Sequence, residues 1–130
     1  MLNKSNLKPY QNYMIEAIEN YRRHGLFVEM GLGKTVSALT GLENLRSKGR
    51  IKKTVIFAPL SVAKNTWSQE TEEWEHLKHI KMNILAIPNA KKRLELLNDD
   101  SVDYYVINYD KTKWFFENAD LSKIDSVIFD

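Results

Sequence analysis

Apolar positions along the chain follow two periods in turn. Tyr10, Tyr13, Met14, Ala17, Ile18 and Tyr21 recur at helical spacing and predict an amphipathic helix. Pro9 suits its first helical position and Gly25 its end. Leu26-Phe27-Val28 is a short apolar run and predicts a strand. Val36, Leu39, Leu42 and Leu45 then line one face of a second helix, which Ser47-Lys48-Gly49 stops. Thr54 to Ala58 is almost continuously apolar, as a strand buried on both faces of a parallel sheet should be. Pro59-Leu60-Ser61 ends that run. Helical spacing resumes from Val62 to Leu77, where Trp67, Glu70, Thr71 and Trp74 share a stripe and the two tryptophans read as core anchors. Met82 to Ile87 predicts a third strand stopped by Pro88-Asn89, and Ala90 to Asn98 a short basic helix. Tyr104 to Ile107 predicts a fourth strand, Lys113 to Asn118 a helical turn, and Val127 to Phe129 a fifth strand. No repeat, low-complexity tract or linker interrupts the order.

Strands alternating with helices imply an α/β fold: a parallel sheet with right-handed crossovers and helices on both faces. At 130 residues and 15.2 kDa the chain is one domain with room for a core. Composition adds exclusions. Without cysteine there is neither a disulfide framework nor a thiolate zinc site, which is compatible with a reducing compartment. No apolar run approaches membrane-spanning length, and the first residues lack a signal-peptide core, so no membrane partner is expected. A net charge of +2 does not by itself argue for nucleic acid. Lys52-Lys53, Lys78 to Lys81 and Lys91-Lys92-Arg93 are balanced by nearby glutamates and read as solvated helix faces. His76 and His79 have no further ligand partners and read as solvent-exposed.

The chemistry is concentrated in Glu29-Met30-Gly31-Leu32-Gly33-Lys34-Thr35, which lies between the first strand and the second helix. Strand, glycine loop and helix form the context that a phosphate-binding loop requires. Gly31 and Gly33 permit a tight turn and a close approach of backbone to an anion. The loop N–H groups, Met30 and Leu32 included, and the positive end of the helix then face the phosphates. Lys34 can reach the β- and γ-phosphates, and the Thr35 hydroxyl can hold Mg²⁺. The loop departs from the full G-x-x-x-x-G-K-[ST] pattern at Val28, where that pattern has glycine.

In open α/β sheets ligands bind beyond the C-terminal ends of the strands. The glycine loop, Pro59-Leu60-Ser61, Asn108-Tyr109-Asp110 and Asp130 all occupy such ends. An apolar strand ending in aspartate has the form of a Walker B carboxylate, which holds the nucleotide's Mg²⁺. Gln11 lies in the first turn of the first helix. Its amide can donate to and accept from one adenine edge at once.

Together these stretches resemble the N-terminal RecA-like lobe of a Swi/Snf-type ATPase of helicase superfamily two, of the phage and bacterial style. Leu7-Lys8-Pro9-Tyr10-Gln11 is similar to that family's entry motif and Glu29 to Thr35 to its motif I. Ala58-Pro59-Leu60-Ser61-Val62, with Trp67, Glu70 and Trp74, is similar to motif Ia. Val106-Ile107-Asn108-Tyr109-Asp110 is similar to motif Ib, and Val127-Ile128-Phe129-Asp130 to the start of the Asp-Glu box. The order is the family's, and the resemblance spans nearly the whole chain. Lys8 stands where the family usually has arginine, Met14 where glycine is common, and Thr66 is one extra residue before Trp67.

The resemblance implies ATP and Mg²⁺ as cofactors, with Gln11 reading adenine and Met30 to Thr35 cradling phosphate. Lys34 and Asp130 would be catalytic, Thr35 and Asp130 would hold the metal, and Ser61, Lys64 and Tyr109 would touch the backbone of double-stranded DNA without reading its sequence. It further implies a cytoplasmic protein, in the bacterial host if phage-encoded. Residues 1–130 would be part of that lobe, incomplete at its C-terminal side and lacking the glutamate after Asp130 and a second RecA-like lobe. Such a piece would turn over little ATP, because an arginine finger contributes roughly 10³–10⁵ in rate. A binding-only subunit or relic without turnover is the rival reading; an unrelated P-loop kinase or partitioning ATPase explains neither Gln11 nor the Pro59 block. In the family a later strand separates the first strand from the one ending at the aspartate. Here Leu26 to Val28 and Val127 to Phe129 should therefore leave a gap, prone to aggregation, or pair out of family order.

Overall fold

The computed structural model describes residues 2–7, 26–27 and 34–130. The helix expected over residues 9–25, with Gln11, and the loop over residues 28–33 lie outside the described residues. Five parallel strands form one sheet in the order β1-β5-β2-β4-β3: β1 Leu26–Phe27, β2 Thr54–Ala58, β3 Met82–Ile84, β4 Tyr104–Asn108 and β5 Ser126–Phe129. Helices α1 (Lys34–Ser47), α2 (Trp67–Glu73), α3 (Ala90–Leu97) and α4 (Thr112–Asn118) connect them.

The period-two side-chain alternation of a strand divides the core into two layers. Ile56, Ala58, Tyr104, Val106 and Ile128 pack with Val36, Leu39, Leu42 and Leu45 of α1 and with Trp67, Trp74 and Leu77. Val55, Phe57, Tyr105 and Ile107 pack on the other face with Leu97 of α3 and Phe115 of α4. The helix pairs thus cover opposite faces, and β2 and β4 are buried along their whole length. Both tryptophans of the 62–77 stretch are core residues, as their spacing predicts. Helix α1 ends at Ser47, and Gly49 takes φ +72°, the left-handed conformation that suits glycine after a helix.

Several expectations change. The sheet has no gap: β1 lies directly against β5, with Leu26 opposite Ile128 and Phe27 opposite Phe129. Of the two outcomes expected, the strands pair out of family order, which satisfies backbone groups that a gap would leave bare. The 62–77 stretch is not one helix but a π-helical turn over Val62–Thr66, then α2, then a 3₁₀ turn over Glu75–Leu77. Thr66 is the last residue of the π turn. Strand β3 stops at Ile84 rather than Ile87. Leu85 still donates to Val106 O at 2.7 Å, but the Ile87 N–H turns back to Leu85 O at 2.9 Å. Arg93 claims the carbonyls of Ile87 (2.6 Å) and Pro88 (3.4 Å) and stacks over the Trp114 ring at 4.7 Å. It is therefore no solvated lysine-cluster neighbour, being only 3% exposed.

His76 is also corrected. It is half-buried, its Nε2 lies 2.7 Å from Thr40 Oγ1, and its ring meets Trp74 edge-on. Thr40 Oγ1 also lies 2.7 Å from Val36 O, one turn back. Among the described residues the buried Nδ1 meets no hydrogen-bond partner. Burial, with Lys4 and His79 nearby, holds the His76 pKa below the usual histidine value. His79 is exposed, as expected, and pairs with Glu43 at 2.7 Å.

Candidate functional site at the C-terminal edge of the sheet

Parallel register brings the ends of β1, β5, β2 and β4 to one edge. Phe27 opposes Phe129, Phe57 opposes Phe129, and Ala58 opposes Asn108. The chain entering the glycine loop therefore leaves the sheet beside the strand that delivers Asp130. Helix α1 returns from that loop with Lys34 as its first residue and Thr35, buried, as its second.

Asp130 is held at three points. Its N–H donates to Phe57 O at 2.8 Å, extending the β2–β5 ladder by one bond. Its carboxylate Oδ2 accepts from the indole Nε1 of Trp67 at 3.1 Å. Its backbone carbonyl accepts from the Tyr109 hydroxyl at 2.6 Å. Burial, and secondarily the Asp130 charge, raise the Tyr109 pKa above its ordinary value, so the phenol stays protonated and donating. Beneath these groups Phe57 stacks on Phe129 (centroids 5.6 Å, 14° apart) and meets Phe115 edge-on at 5.6 Å.

Ser61 and Lys64 lie in the exposed turn after β2, and Tyr109 follows β4, the neighbouring strand. The three candidate contacts thus share one edge, although the Tyr109 hydroxyl is engaged with Asp130. Lys64 lines a cleft with Leu60, Pro88, Asn108, Asp110 and Lys111. Asn108 is buried at 5% exposure, and among the described residues its Oδ1 meets no hydrogen-bond partner. Residue pattern alone missed Asn108, Lys111 and the Trp67 N–H. Asn108 and Lys111 flank a turn that the sequence did mark, whereas the indole bond spans 63 residues and leaves no local signal.

Among the described residues no cluster of three His, Asp or Glu side chains could hold a metal ion, and no helix is long and apolar enough to cross a membrane.

The SNF2-related domain family matches residues 10–128. Protein p41 of Acyrthosiphon pisum secondary endosymbiont phage 1 is 36% identical over 111 residues, covering 85% of this chain and 24% of p41. The chain thus spans about a quarter of that relative's length. A chromodomain-helicase-DNA-binding protein 3 homolog of Caenorhabditis elegans is 43% identical over 74 residues, 53% of this chain and 4% of the relative. Human chromodomain-helicase-DNA-binding protein 7 is 35% identical over 79 residues, 58% of this chain and 3% of the relative. With its parallel α/β sheet and a family match over residues 10–128, this chain belongs to the SNF2-related domain family of helicase-like ATPases.

Proposed function

We propose that residues 1–130 form the ATP-binding N-terminal lobe of a DNA-dependent ATPase that translocates on or remodels double-stranded DNA. The observation that supports this reading most is the pairing of Phe27 with Phe129, in which the strand leading into residues 28–33 runs beside the strand that ends at Asp130. Met30 to Gly33 would wrap the phosphates, Lys34 would neutralise their charge, and Gln11 would read adenine. Thr35 and Asp130 would hold Mg²⁺, which when bound supplies charge neutralisation to the phosphoryl oxygens. The Asp130 carboxylate, held by the Trp67 indole at the end of its strand, supports that fit. Ser61, Lys64 and the Tyr109 ring would meet the DNA backbone, where affinity derives from phosphates and falls with salt. A second RecA-like lobe would complete the enzyme. The phage relative supports action in a bacterial host cytoplasm.

Isothermal titration with Mg-ATP tests the reading. Wild type should bind, and Lys34→Ala should lose most of that affinity because a side-chain cation facing the phosphates is gone. Equal affinities for the two proteins would sink the assignment.

A further inference from the structure

We infer that Trp67 is a positioning residue for Asp130: its indole N–H fixes the carboxylate in the orientation from which that carboxylate would meet Mg²⁺. This rests on the metal-nucleotide reading above, and it assigns to Trp67 a task beyond packing.

An indole is a donor only, so a buried tryptophan needs an acceptor for its N–H. Trp67 is fully buried, in the layer shared by α1, α2 and the sheet. Its Nε1 finds its acceptor in Asp130 Oδ2 at 3.1 Å rather than in a backbone carbonyl of its own helix. Trp74, seven residues on, shows the local alternative: its Nε1 donates to Glu70 Oε2 at 2.8 Å, one turn back. Two tryptophans on one stripe thus have different partners, and the one nearest the strand ends reaches across to β5.

The main chain of Asp130 is pinned separately, by Phe57 O and the Tyr109 hydroxyl. Those bonds fix where the residue sits and leave its side-chain torsions undetermined. The Trp67 bond acts on the carboxylate itself, through Oδ2. A partner that orients a ligating carboxylate in this way costs roughly 10–100-fold in metal affinity when removed.

A π-helical turn over Val62–Thr66 leads directly into α2, which opens with the buried Trp67 in reach of Asp130.

The test uses the whole 130-residue chain. Trp67→Phe keeps an aromatic ring in the core and deletes only the donor. ATP affinity is measured by titration with Mg²⁺ and again in EDTA, and Mn²⁺ affinity for the ATP complex by electron paramagnetic resonance. The expected result is roughly a tenfold or greater loss of Mn²⁺ affinity, with affinity in EDTA unchanged. A merely structural role would weaken both conditions alike or neither. If wild type binds Mg-ATP and Trp67→Phe shows the same metal dependence, the inference is overturned and the nucleotide reading survives. If wild type binds no ATP at all, both fall. Should Trp67→Phe fail to fold, the wild-type protein decides the matter. Among the three indole N–H resonances, that of Trp67 should shift in Asp130→Asn and broaden selectively with Mn-ATP. An unmoved, unbroadened Trp67 resonance would refute the proposal.

Discussion

The carboxylate of Glu43 ties the end of α1 to the start of β4, and Tyr104→Phe measures that tie. Glu43 Oε2 accepts from the Tyr104 hydroxyl at 2.6 Å and from Arg46 Nε at 2.9 Å, while His79 Nε2 lies 2.7 Å from Oε1. Arg46 also donates to Lys52 O and lies over the Tyr104 ring at 4.8 Å. Tyr104 is fully buried, and burial pushes its pKa well above the ordinary phenol value. Phenylalanine keeps the ring and its packing and deletes one bond to a charged acceptor, worth about 1.5–3 kcal/mol. Because Arg46 and His79 remain on Glu43, no carboxylate is stranded, and a loss of about 2 kcal/mol is expected. For a domain of this size that is a fall in Tm of roughly 6–10 °C.

The sign with pH follows from Glu43. Burial alone would raise its pKa, but hydrogen bonds from Tyr104, Arg46 and His79 outweigh burial and hold it below 4.5. A depressed carboxylate contributes stability that is complete above the unfolded pKa and is lost as pH falls through the folded one. The gap between wild type and Tyr104→Phe should therefore be full at pH 7 and shrink in acid below about pH 4.5. Urea unfolding followed by tryptophan fluorescence at several pH values reads it directly. A gap under ~0.5 kcal/mol at pH 7, the size of an ordinary surface substitution, would refute the reasoning. So would a gap of constant size down to acid.

Three further outcomes are expected. Gln11→Ala should erode a preference for ATP over GTP in competition binding without abolishing phosphate-dependent affinity, and a wild type with no base preference removes Gln11 from the site. Arg93→Met should cost about 1.5–3 kcal/mol in chemical denaturation, since it removes the charged hydrogen bonds from the buried Arg93 to the carbonyls of Ile87 and Pro88; Arg93→Lys should recover only part, lacking the planar fork, and full recovery would contradict the assigned geometry. His76, its folded pKa lowered by burial and by Lys4 and His79, binds protons more readily unfolded, so stability should rise with pH up to about 6.5 and level off; if His76→Asn keeps the wild-type slope over that range, His76 is not the group responsible.

Much of this molecule was legible in the order of its residues. The continuous apolar runs at Thr54 to Ala58 and Tyr104 to Ile107 could only be strands covered on both faces, which demands helices above and below. The positions of Ser61, Lys64, Tyr109 and Asp130 just after strands were legible for the same reason: in a parallel sheet whatever follows each strand gathers at one edge. That logic needs only chain order and strand direction. Bonds between residues far apart in sequence carry no such local signal. Nothing near Trp67 marks it as the donor to Asp130, and nothing near Arg93 marks it as the clasp of the Ile87–Pro88 turn. Even Glu43 and Arg46, an unremarkable pair one turn apart on a helix, become a buried junction only because Tyr104 arrives from β4. The period of apolar residues determined which segments would be helix or strand and which sheet edge would carry the chemistry. The direct contact of β1 with β5, and the partner each buried polar atom found, were decided by tertiary packing, because desolvated donors and acceptors must be satisfied by whatever the fold brings within reach.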